Sequence, residues 1–200
     1  MGRQKIEALT SSLCNDIVSD LNQMKDNHKQ PYALALVCND TMEHFFLALA
    51  NTEDLEIILS KNKVAPTDTD DFLYTDDFLY FKWSPNEWLC MSYDLEDSQV
   101  KAFNKKLREE VSAIKSDYDN YRKTMLEVCM AALAKAKPQI EDSLKHNNLP
   151  VFVSFTDISK LQEIENYTAL QINSKEVYEA FSTRFAELDW GKDLGVYAPF

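Results

Sequence analysis

No glycine occurs between residues 3 and 190, since the chain's three glycines are Gly2, Gly191 and Gly195. Glycine adopts left-handed backbone conformations freely and lets a backbone approach a phosphate closely. Phosphate-binding loops, dinucleotide-binding fingerprints and the G-x-S-x-G nucleophile turn all depend on it. The sequence therefore argues against a P-loop NTPase, a kinase, a Rossmann dehydrogenase and an α/β-hydrolase. Turns must use Asn and Asp instead, as at Asn39-Asp40.

Apolar periodicity predicts strands and helices interspersed along one domain, residues 1–200. A stripe from Ile6 to Met24 predicts a first helix over residues 3–25. Apolar runs at 32–38, 45–50 and 151–155 predict strands, and Asn51 is the expected N-cap of a helix ending near residue 61. We expect an α+β fold: a single domain with a mainly antiparallel sheet of four to five strands flanked by helices.

Three further segments complete this prediction. The hexapeptide TDDFLY occurs twice in tandem, at 69–74 and 75–80, and its second copy leads into a predicted strand. Residues 167–172 are a candidate edge strand before a last helix over 175–188, capped by Asn173 or Ser174. A helical tract over 95–137 would be too long for a compact domain, so we expect a break within 116–120. Its apolar seam, Leu107 to Ala132, could pack internally or form a dimer face.

Acidic and aromatic side chains alternate between Thr67 and Asp97, where nine acids accompany one base, Lys82. The whole chain has a formal net charge of −12. Such a stretch suits attraction of a basic protein followed by anchoring through rings, and it would repel nucleic acid. The predicted partner-binding residues are Asp70, Asp71, Phe72, Tyr74, Asp76, Asp77, Phe78 and Tyr80.

The segment Lys82-Trp83-Ser84-Pro85-Asn86-Glu87-Trp88 contains a predicted capping box, with Pro85 at the first helical position. It predicts a structural corner made by Trp83, Ser84, Pro85, Glu87 and Trp88, although both indoles could instead anchor a partner.

Four stretches in this order resemble an uncharacterised bacterial family known as domain of unknown function 4303. They are Asn51-Thr52-Glu53-Asp54, the Lys82 to Trp88 motif, residues 151–157 and Leu170-Gln171-Ile172-Asn173. The resemblance implies a single α+β domain of bacterial origin. It also implies an immunity protein, because such members are often found beside polymorphic or contact-dependent toxins. It transfers no catalytic residue. We therefore expect an antitoxin-like protein that neutralises a cytoplasm-acting toxin by binding the toxin's basic domain.

Other classes of function remain open alternatives. An enzyme or small-ligand binder could use Asp157, Glu53 and a pocket at the two tryptophans, and a housekeeping protein could use the Leu107 seam. The aspartates lack calcium-loop spacing and the three histidines lack zinc spacing, so we predict no metal site. We also predict no cofactor and no catalytic residue. The four scattered cysteines predict free buried thiols. Without a long apolar run we predict a cytoplasmic location and no membrane contact, and the oligomeric state stays open.

Overall fold

The computed structural model describes residues 1–24, 30–64, 76–111, 117–156 and 160–185, and the statements below concern these residues. Helices and strands follow one another in an α+β arrangement that is mostly helical. The helices are α1 (Arg3–Met24), α2 (Thr52–Lys61), α3 (Asp76–Trp83), α4 (Gln99–Val111), α5 (Tyr118–Leu144), α6 (Leu161–Ile172) and α7 (Lys175–Ser182). The strands are β1 (Pro31–Cys38), β2 (Phe45–Asn51), β3 (Cys90–Met91) and β4 (Val151–Phe155).

The four strands form one sheet in the order β3-β2-β1-β4. Strand β2 pairs antiparallel with β1 and with the two-residue β3, but β4 pairs parallel with β1. The sheet is therefore mixed: two of its three strand pairings are antiparallel, as expected for most of the sheet, but the parallel pairing of β4 was not predicted. The reason lies in the long connection before β4: helix α5 has 27 residues and is roughly 40 Å long. This length can return the chain to the end of the sheet where β1 begins.

The two faces of the sheet have different side chains. One face, which we call the aliphatic face, presents Leu34, Leu36, Leu47 and Leu49 to a large buried core. The opposite face, the alanine face, presents Ala33, Ala35, Ala48, Ala50 and Phe152. Alternate residues of a strand point to opposite sides, so the Leu–Ala alternation in β1 and β2 separates the two cores.

The core on the aliphatic face also contains the apolar seam of α4 and α5. Leu107, Tyr121, Met125 and Ala132 are all at most 5% exposed. Helix α5 packs against α1, and α4 packs against α1 and β2. Apart from Tyr118, which is 42% exposed, the described seam residues are interior, which argues against their use as a dimer face.

Several local predictions are confirmed. Asn51 is the N-cap of α2 and its side-chain Oδ1 accepts a hydrogen bond from the Asp54 N–H at 2.8 Å. Ser174 caps α7 in the same way through Val177. The long helical tract is interrupted as expected, because Asp117 has non-helical backbone angles and caps α5.

Two predicted strands are helices instead. Residues 76–83 form α3, where Asp76 and Asp77 lie in the first turn, a favourable place for acids. Residues 167–172 belong to α6, whose buried polar side chains bond to β4 as described below. In both segments the composition fits a strand, and tertiary contacts decide for a helix.

Candidate functional site

The Lys82 to Trp88 motif makes the corner between α3 and β3. The Lys82 carbonyl accepts two hydrogen bonds, from the Tyr32 hydroxyl at 2.9 Å and from the Trp88 indole N–H at 3.2 Å. The predicted capping box does not form, because the Ser84 side chain makes no capping bond. Residues 85–87 form a single 3-10 turn and Trp88 returns to extended backbone, so no helix follows. The corner depends on long-range bonds to a carbonyl rather than on a local cap.

Five aromatic rings pack around this corner on the alanine face. The Trp83 ring lies edge-on to Tyr32 and to Phe181, with centroids 5.8 and 5.6 Å apart. Trp88 contacts Phe152, which contacts Phe181 at 4.7 Å. Trp88 is buried and Trp83 is half-buried. Because alanines leave room above the sheet, these rings fill the second core and we call them the aromatic cluster.

A cavity of about 710 Å³ opens beside the aromatic cluster. Aromatic, aliphatic and a few polar side chains line it: Tyr32, Lys82, Trp83, Asn148, Pro150, Glu176, Val177, Ala180 and Phe181. The Lys82 ammonium lies 5.6 Å from the Trp83 ring centroid and 5.7 Å from that of Phe78. Burial lowers the pKa of Lys82, because a partly desolvated ammonium is less stable than one in water.

Acidic and exposed apolar residues lie together on the elements next to this corner. We call residues 52–61 and 76–97 the acidic region; it has nine acids and two lysines in sequence. Helix α2 packs against α3, and the 85–87 turn and β3 both pack against β2. Four large apolar side chains here are 42–52% exposed: Ile57, Tyr80, Leu89 and Tyr93. The Tyr80 hydroxyl donates to Glu87 Oε1 at 3.1 Å, and Tyr93 packs edge-on against Phe46.

Only some of the predicted partner-binding residues lie in the described part of the chain. Asp70, Asp71, Phe72 and Tyr74 lie outside the described residues, as does the side chain of Asp76. Asp77 and Tyr80 are exposed on α3. Phe78 is half-buried and packs beside Leu79 and Phe185. Of the predicted corner residues, Pro85 is buried and Glu87 is exposed.

Exposed Ile57, Leu89 and Tyr93 were not among the predicted partner-binding residues. Leu89 and Tyr93 lie within the acidic stretch between Thr67 and Asp97, which was a usable signal. Ile57 lies on α2, and its exposure follows only from the way α2 packs on its neighbours.

Side chains that imitate a neighbouring strand close the outer edge of β4 and the part of β2 that the short strand β3 leaves unpaired. On β4, Asn173 accepts from the Val151 N–H at 3.0 Å and donates to the Val151 carbonyl at 2.7 Å. Thr168 bonds the Val153 N–H and carbonyl. On β2, Asn104 makes an equivalent pair of hydrogen bonds: it accepts from the Phe45 N–H and donates to the Phe45 carbonyl. These groups are unavailable to an added strand.

A buried ion pair joins α6 to the residues after α7. Arg184 Nη2 lies 2.7 Å from Glu165 Oε2, and the Ser154 hydroxyl donates to Glu165 Oε1 at 2.7 Å. The Arg184 guanidinium also bonds Asn166 and lies 3.8 Å from the Phe181 ring centroid. Burial raises the pKa of Glu165, and the charge of Arg184 partly offsets this rise. Burial also lowers the pKa of Arg184. No local pattern in the sequence indicates that Glu165 and Arg184 form a pair.

The cysteines are all free and buried, as predicted, and all lie in the aliphatic core. Burial and, secondarily, Asp54 and Asp94 raise the pKa of the Cys90 thiol to about 12. Within the described ranges, no group of three or more His, Cys, Asp or Glu side chains could hold a metal ion. Asp157 lies outside those ranges, and Glu53 does not line the cavity. None of the helices in them combines the length and apolar character needed to cross a membrane.

Comparison with known proteins identifies the family. The model of the domain of unknown function DUF4303 matches residues 13–174, so the chain belongs to that family. The match spans β1, β2, the Lys82 to Trp88 corner, β4 and the edge-closing Asn173. No curated protein and no solved structure matches the chain significantly.

Proposed function

We propose that this protein is a bacterial immunity protein that binds the basic domain of a cytoplasm-acting toxin through its acidic region. The observation that carries the proposal is the exposure of Ile57, Tyr80, Leu89 and Tyr93 among nine acids and two lysines. Large exposed apolar side chains in one region are a feature of interaction sites. The resemblance noted in the sequence adds the class of partner.

Binding would proceed through side chains and not through strand addition. Asn173 and Thr168 occupy the outer edge of β4, while Asn104 and Ser92 occupy that of β2. A partner could not pair with β4, or with the part of β2 beyond β3, without breaking these bonds. The helical and turn surface of the acidic region therefore remains the better candidate for docking.

Capture and retention would use different residues of the acidic region. Exposed carboxylates such as Asp77 and Asp94 would attract a basic domain over long distances and speed association. Tyr80 and Tyr93 would then be buried in the partner and slow dissociation. The Tyr80–Glu87 hydrogen bond restricts the ring before binding, which reduces the entropy lost on association. The bound protein would block the toxin's active site.

Co-expression tests the class of function. The C-terminal domain of a large secreted protein encoded directly upstream of this chain would be produced alone and together with it. We expect growth arrest by the domain alone, relief by co-expression and a stable complex in purified form. If the domain is harmless, or if co-expression leaves the arrest in place, the immunity proposal is rejected.

A charge-matched pair of variants tests the surface. The triple variant Asp77→Asn, Glu56→Gln, Asp94→Asn removes three exposed carboxylates from the acidic region. We expect about a tenfold lower association rate at low salt and a weaker salt dependence, measured by surface plasmon resonance with the same toxin domain.

The matched control removes three exposed carboxylates elsewhere: Asp40→Asn, Asp119→Asn and Glu127→Gln. Its net charge changes equally, so it reports the effect of total charge alone. Equal slowing by both triple variants would show that the acidic region is not the docking surface.

A further inference from the structure

The cavity beside the aromatic cluster has the dimensions and lining of a small-molecule site. Its volume is about 710 Å³, and ligand pockets commonly measure roughly 300–1,000 Å³. Apolar walls come from Val177, Pro150 and the rings of Tyr32, Trp83 and Phe181. Few polar groups interrupt these walls, which is also typical of ligand sites.

The ring walls are held rigidly. Trp83 is fixed between Tyr32 and Phe181 at interplanar angles of 80° and 83°. The preceding residue, Lys82, is fixed by the two hydrogen bonds to its carbonyl. Flat rings of a ligand can pack offset or edge-on against such walls without reorganising them. The walls therefore favour a planar aromatic ligand.

Charge narrows the class of ligand further. Among the described residues that line the cavity, Lys82 is the basic side chain and Glu176 is the acidic one. Lys82 is half-buried and Glu176 is exposed, so Lys82 is less screened by water. An anionic group beside Lys82 would offset the desolvation that lowers its pKa. A polyanion such as a nucleotide would meet one lysine and one glutamate, which is a poor match.

We propose that this cavity binds a small planar aromatic carboxylate, with its ring against Trp83 and Phe181 and its carboxylate at the Lys82 ammonium. Lys82 and Trp83 belong to the acidic region, but none of the exposed side chains proposed to anchor a toxin lines this cavity. A ligand could therefore bind whether or not the protein is an immunity protein.

Three naphthalene probes that differ in charge test the proposal. The full chain would be titrated with 2-naphthoate, with neutral 2-naphthamide and with 2-naphthylmethylammonium in a calorimeter. We expect 2-naphthoate to bind about tenfold more tightly than the amide, since hydrogen bonds to charged groups are stronger than neutral ones. The ammonium probe should bind most weakly.

Two variants place the binding site, each with a control. Lys82→Gln should remove the preference for the acid over the amide, whereas Lys175→Gln, an exposed lysine outside the cavity lining, should keep it. Ala180→Leu should fill the cavity and weaken all three probes at least tenfold. Ala180 is exposed, so this change should not unfold the protein. Glu179→Leu adds an apolar side chain on the same helix outside the lining and should leave binding unchanged.

Several outcomes would overturn the proposal. They are equal affinity for the acid and ammonium probes, no saturable binding of 2-naphthoate below about 1 mM, and unchanged binding by Ala180→Leu. Thermal unfolding of each variant verifies that a loss of binding is not a loss of fold.

Discussion

The two faces of the sheet are covered by different kinds of side chain. On the aliphatic face, leucines of β1 and β2 pack with residues of the long helices α1 and α5 in one large buried core. On the alanine face, small side chains leave room for the rings of Trp88, Phe152 and Phe181, and the Arg184 guanidinium packs against the Phe181 ring. The first face provides the bulk of the buried aliphatic core. The second face carries the cavity and adjoins the acidic region, so the candidate functions concentrate there.

The largest expected effect tests the polar core of the alanine face. Arg184→Met would leave Glu165 buried without its cation, and we expect a loss of about 3–5 kcal/mol in the free energy of unfolding, measured with urea. The double variant Glu165→Leu/Arg184→Met removes both charges and should recover most of this stability. A double variant as unstable as the single one would mean that the aromatic packing, and not the charge, sets the cost.

The next effect contrasts the faces at neighbouring positions of β1. Leu36→Ala leaves a cavity in the aliphatic core, and we expect a loss of about 3 kcal/mol. Ala35→Leu adds volume to the alanine face and should cost about 2 kcal/mol through overpacking. Both free energies would come from urea unfolding. If Ala35→Leu were neutral, the alanine face would be less tightly packed than the ring contacts indicate.

A smaller effect is expected at the edge of β4. Asn173→Ala removes both hydrogen bonds to Val151 and leaves its N–H and carbonyl unpaired, which should cost about 2 kcal/mol. Light scattering should also show association that increases with protein concentration, because an open strand edge can pair with another copy. Asn62→Ala serves as a control, since its side chain bonds the end of a helix and no sheet edge.

The smallest stability change is expected in the acidic region. Tyr93→Ala and Leu89→Ala alter exposed side chains, so each should change the free energy of unfolding by less than about 0.5 kcal/mol. The same variants should speed dissociation of the proposed toxin complex. Loss of stability comparable to that of Leu36→Ala would identify these side chains as core residues and remove them as anchors.

Local signals predicted the elements whose stability is decided within the segment. The continuous apolar runs predicted β1 and β2, and the caps Asn51 and Ser174 marked the starts of α2 and α7. Prediction failed where tertiary contacts decide. Residues 167–172 have the composition of a strand but fold as a helix that bonds β4 through Thr168. The parallel pairing of β4 depends on a path through more than 90 residues after β2, and no short pattern encodes it.

The candidate site shows the same division. The acidic region and the tryptophan motif were visible in sequence because charge and composition are local properties. The sequence offered a pocket at the two tryptophans as one alternative, and Trp83 does line the cavity while Trp88 does not. The other walls were not predicted, because Pro150 and Val177 are far from Trp83 in the chain. Glu165 and Arg184 were likewise missed, since a buried ion pair requires knowledge of which helix faces meet.

The closed edge of β4 affects how the folded protein could aggregate. Two folded copies cannot join strand to strand at Val151 or Val153 while Asn173 and Thr168 hold those positions. Fibril growth at the β4 edge of the native sheet would first require α6 to detach from β4. Detachment would also separate Glu165 from Ser154, a buried contact, so this opening should be rare. Conditions that loosen α6, more than those that loosen the acidic region, should therefore set the shelf life of the protein.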